Sequence, residues 1–439
     1  MRHWVKDTVG GLPRPFWFLW ANTLINRVGS FVLVLLAIYL TQERHLTPSF
    51  AGLVIGLWGA GGAAGTLLGG VLADRWGRKP TFLTALYASA AMMLVLGAAR
   101  GPAFIAVSVA VLGLVSEASR PAMQALMIDI VPERDRVRAF SLHYWVINLG
   151  FAFAAMTAGL VAGVDFGLLF LIDAGTTAAA ATLVAFKIKE PSRVRVQPVA
   201  PVPASAAPGL RAVFADRVFL AFVGINLLTS LVFMQHLSTL PIAMARDGLA
   251  PSTYGTVIAL NGVLIVAGQL FMHRVLRRMG RPTALAVAAV VMGLGFGLNA
   301  FAHTAWVYAV AVLVWTVGEM LNAPSNAATN AELSPAAMRG RYQGVFSLSW
   351  SCASFLAPIL GAAVLQFAGS AALWFGCLGL AGVVAVCHLV AAPSRERRVA
   401  QLRAAAAPAV PAVASASEDA APVGQATDAV DADLVTAAA

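Results

Sequence analysis

The chain has 439 residues, 59% hydrophobic and 11% charged, with a formal net charge of +10. A soluble domain carries about a quarter charged residues; a mean hydropathy of +0.79 and recurrent apolar runs of about 20 residues exclude that class and indicate a polytopic helical membrane protein. The positive charge does not serve nucleic acid. Of the 30 Lys and Arg residues, Arg44, Arg100 and Arg246 fall in one set of loops and Arg27 and Arg120 within apolar runs, while the rest occupy the alternate loops and the two ends. That bias puts both termini in the cytoplasm and requires an even number of crossings.

In chain order, the first apolar run (16–40) is too long for a secretory signal and lacks a cleavage pattern, so it is expected to span the bilayer. Eleven more spans are predicted near 51–72, 81–99, 103–127, 138–162, 166–187, 217–242, 252–274, 282–301, 305–328, 341–366 and 371–393. The expected architecture is all-α, with 12 transmembrane helices in two pseudo-symmetric six-helix bundles, residues 1–187 and 213–393. Residues 188–212, rich in Pro, Ala and basic side chains, are expected to form a cytoplasmic linker. Residues 394–439 are polar, Ala-rich and late-acidic, which predicts a disordered cytoplasmic tail. Cys352, Cys377 and Cys387 lie in apolar runs at no metal-binding spacing and read as packing residues.

The two halves are related internally. One constant offset pairs Gly77 with Gly280, Arg78 with Arg281, Pro121 with Pro324, Asp129 with Glu332, Pro132 with Pro335 and Arg138 with Arg341. Duplicated halves with a site at their interface are a transporter architecture. The same offset sets Asp74 against Arg277, so the second copy lacks that carboxylate.

The densest charged stretch runs from Gly69 to Pro80, between the second and third spans. Gly77 suits a tight reversal, and Arg75, Arg78 and Lys79 favour the cytoplasmic side. Gly70, Leu72, Ala73, Asp74, Arg75, Gly77, Arg78 and Lys79 match, position by position, the signature Gly-x-Leu-Ala-Asp-Arg-x-Gly-Arg-Lys of the loop between the second and third helices of the major facilitator superfamily, which the chain resembles over roughly residues 15–393. The resemblance implies that the first, fourth, seventh and tenth helices line a central cavity. A gate network on the cytoplasmic side is expected from Gly70, Asp74, Arg75, Gly77 and Arg78, with Asp129 and Glu332 accepting Arg138, Arg341 and their neighbours. A solvated run of surface charge is the plainer alternative.

An unpaired charge in hydrocarbon costs about 2.5 kcal/mol or more, so intramembrane ionisable residues are candidates for function. Arg27 and Glu117 lie at similar depth and are expected to face each other, with Arg120 a turn closer to the cytoplasm; they form either a proton-coupling group or a permanent structural pair. Glu319 has no cation at its level in its own span and suits proton carriage. The substrate is expected to meet Asn22, Asn26, Asn226, Gln235, His236, Asn322 and Asn326, the pairs Asn22/Asn26 and Asn322/Asn326 each sharing a helix face. A lone histidine such as His236 more often bonds helix to helix, and Asp173 reads as an anchor of the sixth span.

Asn26-Arg27-Val28-Gly29-Ser30-Phe31 and Gly318-Glu319-Met320-Leu321 are similar to the twelve-helix drug:proton antiporters of the superfamily. In the fifth span, Ala154 and Ala155 stand where that group carries Gly-Pro. The resemblance implies a multi-pass monomer of the cell's inner membrane that exports amphipathic small molecules, cationic ones included, by alternating access. Its partners are the substrate, protons and lipid, and its energy source is the proton gradient without a cofactor. The alternative is a proton-coupled importer of peptides or other metabolites; the Glu-x-x-Glu-Arg of peptide importers is absent, with Thr23 and Asn26 at the Glu positions. Neither a nucleophile–base constellation nor a phosphate loop is present, so an enzyme is not expected.

Overall fold

The structure, a computed structural model, describes residues 10–190, 210–276, 278–335 and 338–406. No strand occurs among them, and twelve helices are long and apolar enough to cross a membrane. In the first half, α1 comprises Arg14–Val28, Phe31–Ile38 and a wider turn at Tyr39–Glu43. It is followed by α2 (Pro48–Arg75), α3 (Arg78–Ala98), α4 (Pro102–Ile130), α5 (Arg136–Ala162) and α6 (Phe166–Lys187). In the second half α7 comes in three pieces, Arg217–Phe233, Gln235–Ser238 and Leu240–Arg246. Then follow α8 (Pro251–Leu276), α9 (Arg281–Leu298), α10 (Ala305–Leu333), α11 (Arg339–Phe367) and α12 (Ser370–Val390).

Local chemistry explains the boundaries. Proline opens α2 and α4 at the first helical position, where its missing N–H costs nothing. Thr47 caps α2 by accepting from the Phe50 amide. Gly77, at φ 115°, makes the reversal into α3, a backbone region that side chains disfavour. The carboxylate of Glu190 then accepts the N–H groups of Arg78 and Lys79, both at 2.9 Å, which caps α3 and suits its positive dipole end.

Two expected spans are broken. α1 stops at Gly29 and restarts at Phe31. The freed amide of Val32 is taken up by Asp173 of α6 at 3.2 Å, so the break is satisfied inside the protein, as hydrocarbon requires. α7 breaks at Met234 and Thr239, where Gln235 donates to the Leu231 and Ala357 carbonyls and accepts from the Thr239 hydroxyl.

The tail expectation needs correcting. Ala392–Ala406 is a helix, α13. Arg395 donates to the His388 carbonyl at 2.5 Å and lies over the Phe222 ring, Arg398 pairs with Asp216 at 3.0 Å, and Arg403 pairs with Glu332 at 2.8 Å. These anchors order a segment too polar to build a core. Residues 407–439, linker residues 191–209 and Arg277 lie outside the described residues.

Short turns make sequence neighbours antiparallel. Within each half, and with the halves aligned by their contacts, the starts of α1 and α7, the turns before α3, α5, α9 and α11, and the end of α12 therefore share one face, which carries most of the Arg and Lys; it is called the basic face below. The halves join along two seams. On α2, Gly52, Gly56 and Gly59 rest on the α11 backbone at Pro358, Phe355 and Ser354. On α8, Gly255 and Gly262 rest on the carbonyls of Ala155 and Asn148 in α5. Small residues let helix backbones approach this closely in a bilayer. The α2–α11 seam and the Gly255 contact lie in the halves of these helices remote from the basic face, and the Gly262 contact lies at mid-helix. The second half has its own rigid aromatic core, with buried Trp315 stacked on Phe296 (ring centroids 5.5 Å apart) and Phe296 on Trp374.

Candidate functional site

Between the halves lies a cavity of ≈ 590 Å³. Its walls are the mid-to-basic stretches of α2 (Trp58 to Thr66) and α4 (Glu117 to Gln124) on one side. Facing them are α7 (Asn226 to Phe233), α10 (Glu319 to Ala327) and α11 (Gln343 to Ser354). Since the glycine seams shut the opposite end, the cavity opens toward the basic face.

On the first-half wall, Arg120 pairs with Glu117 at 2.9 Å, one helical turn away. The expected facing pair of Arg27 and Glu117 is not made. Arg27 is half-buried in α1, its Cβ against Gly150 of α5, and lies within electrostatic range of Glu117, Arg120 and Asp173 without an ion pair among the described residues. The two side chains do share a depth, but Arg120 is closer to the carboxylate.

The second-half wall is different. Glu319 accepts from Asn261 of α8 at 2.7 Å, and the same amide nitrogen donates to the Thr316 hydroxyl at 3.1 Å. No cation pairs with Glu319 among the described residues. Toward the basic face a relay of polar side chains crosses three helices: Asn326 donates to the Asn226 carbonyl oxygen, Asn226 to the Ser349 hydroxyl at 2.6 Å, and Ser349 to the Phe346 carbonyl. Asn322 lines the cavity between Glu319 and Asn326. Trp58, Phe233, Phe346 and Trp350 add an aromatic lining.

Four expected substrate contacts lie elsewhere. The Asn22 amide, with its nitrogen toward the acceptor, donates to the Ala180 carbonyl at 2.9 Å, and Asn26 donates to the Thr177 hydroxyl at 2.9 Å. Both bind α1 to α6. Gln235 is occupied with the α7 breaks, as above. His236 meets the Phe233 carbonyl at 2.6 Å and packs on Trp315. Asp173, 2% exposed, is the anchor that its position suggested.

On the basic face, Arg78 pairs with Asp129 and Arg281 with Glu332. These are the same contact in the two repeats. The expectation that Asp129 and Glu332 would take the arginines following α4 and α10 is corrected in part: Arg138 pairs with Asp135 at 3.1 Å, Glu332 also holds Arg403, and Asp74 is exposed. Each pair braces its own half in this conformation. Gly70 has open space beside it.

Asn261, Ser349 and Gln343 escaped the sequence reading, which looked to the first, fourth, seventh and tenth spans. The available signal was cost: an amide such as Asn261 in an apolar run is expensive unless partnered.

Comparison with known proteins agrees with the geometry. The family model described as Major Facilitator Superfamily matches residues 19–242 and 228–423. The chain is 26% identical to an uncharacterized MFS-type transporter, YqjV, of Bacillus subtilis, over 81% of this chain and 87% of the relative. It is 24% identical to a Na(+), Li(+), K(+)/H(+) antiporter of Planococcus maritimus (77% and 89%) and 25% identical to the multidrug resistance protein MdtH of Aeromonas hydrophila (88% and 97%). Among solved structures, the nucleoside transporter NupG (D323A mutant) superposes with TM-score 0.72 at 15% identity, over 86% of this chain and 100% of that one. The POT family transporter PepTSo gives 0.72 at 16%, over 88% and 99%.

Proposed function

We propose, on the premise that the chain belongs to the Major Facilitator Superfamily, that it exports amphipathic small molecules, cationic ones included, in exchange for protons. As a member of that family it is a secondary transporter of the membrane and not an enzyme. Exchange, substrate class and direction are our reading. The observation that carries it is Glu319: an acid on an aromatic-lined cavity wall, held by an amide and by no cation among the described residues. Such a group can hold either a proton or a cationic substrate, and competition for one carboxylate is the simplest coupling of two opposed fluxes. Arg120, by contrast, already compensates Glu117. Two relatives, a multidrug resistance protein and a Na(+), Li(+), K(+)/H(+) antiporter, support both sides of that exchange.

The two glycine seams support alternating access. They close the end remote from the basic face, while the basic end stands open; rocking the halves about the cavity would reverse this. By the positive-inside rule the basic face and both termini are cytoplasmic, so this conformation is the inward-facing one in the bacterial inner membrane.

Glu319→Gln removes the exchangeable proton at nearly constant volume. In proteoliposomes with an imposed ΔpH, the wild type is expected to move ethidium, an amphipathic cation, against its gradient, and the variant to lose that movement while staying folded. Undiminished ΔpH-driven transport by Glu319→Gln would refute the proton-site assignment. Ethidium moving in the same direction as protons would refute exchange.

A further inference from the structure

Asn261 does not line the cavity; it is buried in α8, at 6% exposure, behind Glu319. Its amide nitrogen has two hydrogens, and both are committed. One goes to Glu319 Oε2 at 2.7 Å and the other to Thr316 Oγ1 at 3.1 Å. The Thr316 hydroxyl spends its own hydrogen on the Val312 carbonyl at 2.6 Å, so toward Asn261 it can serve only as acceptor. The direction of every bond in this set is therefore fixed. An amide N–H can donate to a carboxylate oxygen but cannot receive a proton from it. Oε2 is thereby kept as an acceptor, and Oε1 is left as the oxygen on which a proton or a cation can sit.

The next residue along α8, Gly262, is one of the two glycines on the α5 seam, its missing Cβ 2.9 Å from the Asn148 carbonyl and 2.8 Å from the Ala152 methyl. The donor to Glu319 is thus one residue from a close contact between the two halves. Tyr144, also on α5, is an ionisable group from another helix within electrostatic reach of Glu319 among the described residues; Arg120 pairs with Glu117 on the far wall, and Arg27 lies behind it in α1.

We propose that Asn261 is a positioning residue: it holds Glu319 Oε2, directs proton or cation to Oε1, and links the occupancy of that oxygen to the α5–α8 seam. This rests on Glu319 being the proton site. In the charged state the amide steadies the carboxylate. When α8 shifts against α5, the donor moves and the carboxylate is left to take a proton from hydronium on the open side, which leaves as water, forming the O–H bond at Oε1 and releasing the bound cation.

The test is the pH dependence of ethidium affinity, read by fluorescence on the full-length protein in nanodiscs. A cation needs the carboxylate, so affinity falls as pH drops through the midpoint. Asn261→Leu, close in volume but without a donor, is expected to move that midpoint up by about one pH unit, a tenfold change in proton affinity. Thr316→Val, which leaves α8 intact and only loosens the amide, is expected to move it up by less. Midpoints equal to wild type in both variants would overturn the proposal, as would a uniform loss of affinity without a shift. Glu319→Gln separates the two readings. If it titrates like wild type, the proton site itself is wrong and the proposal falls with it. If it is flat in pH while Asn261→Leu matches wild type, the positioning role alone is wrong.

Discussion

Gly56→Leu should push the protein out of the conformation described above. The position lies on α2 where it crosses α11, and a Cβ there would sit 2.7 Å from the Phe355 carbonyl oxygen and 3.0 and 3.1 Å from the Ile359 side chain. The first of these is backbone in the middle of a helix and cannot swing aside, and leucine brings three further carbons. Overpacking of this kind costs about 1–3 kcal/mol. Here the strain exists only while the seam is closed, so most of it is expected to appear as a shift between conformations. A bias of that size changes the ratio of the two states about 5–150-fold. The assay is thiol labelling of a Ser347→Cys reporter on the exposed α11 wall of the cavity, in a background lacking Cys352, Cys377 and Cys387. A membrane-impermeant maleimide should label the reference protein fast from the basic face and slowly from the other. Gly56→Leu should slow the first rate and raise the second. Gly175→Leu, where no atom lies within 4 Å, is the control and should change neither. Unaltered rates in folded Gly56→Leu would show that the α2–α11 seam does not set the accessible side.

Burial, and not formal charge, should rank the structural acids. Asp173→Ala deprives the buried Val32 amide of its acceptor and should lower stability by about 1–3 kcal/mol, seen as a clear drop in melting temperature. Glu332→Ala breaks two ion pairs, but their arginine side chains are 49% and 72% exposed, so the loss should stay near or below about 1 kcal/mol and shrink further in high salt. A larger melting shift for Glu332→Ala than for Asp173→Ala would overturn that ranking.

The crossings were legible because each needs about 20 apolar residues and the loops between them hold nearly all the cations. What sequence left open was rotation about the helix axis. Asn22 and Asn26 are four apart and do share a face, yet spacing says nothing about which neighbour that face meets; it meets α6, where Ala180 and Thr177 wait. Arg27 and Glu117 share a depth, but depth also leaves the azimuth free, and Arg120 on the same helix is nearer. Asn226, Asn322, Asn326 and Glu319 were read as cavity residues and line it, because three of them lie on one stripe of α10. The breaks in α1 and α7 were hidden for a different reason: each is satisfied by a residue distant in sequence, Asp173 in one case and the Ala357 carbonyl in the other.

The repeat itself separates scaffold from site. Under the offset that pairs Gly77 with Gly280, the bracing contact recurs intact, Arg78 with Asp129 and Arg281 with Glu332. The cavity acids do not obey it. Glu117 corresponds to Met320, Arg120 to Ala323, and Glu319 to Ser116, which donates to Ser89 inside its own half. Glu117 and Glu319 thus do not occupy equivalent positions of the two repeats but stand one position out of step. That single step has a physical consequence. The first-half acid has an arginine three residues on, and its charge is cancelled at once; the second-half acid has an asparagine there, Asn322, and an alanine at the position matching Arg120. A symmetric pair of neutralised acids could brace two halves but would have little cause to bind a proton or a cation in turn. In the exchange proposed above, the acid without a cation partner among the described residues is the one that would give the rocking halves something to exchange.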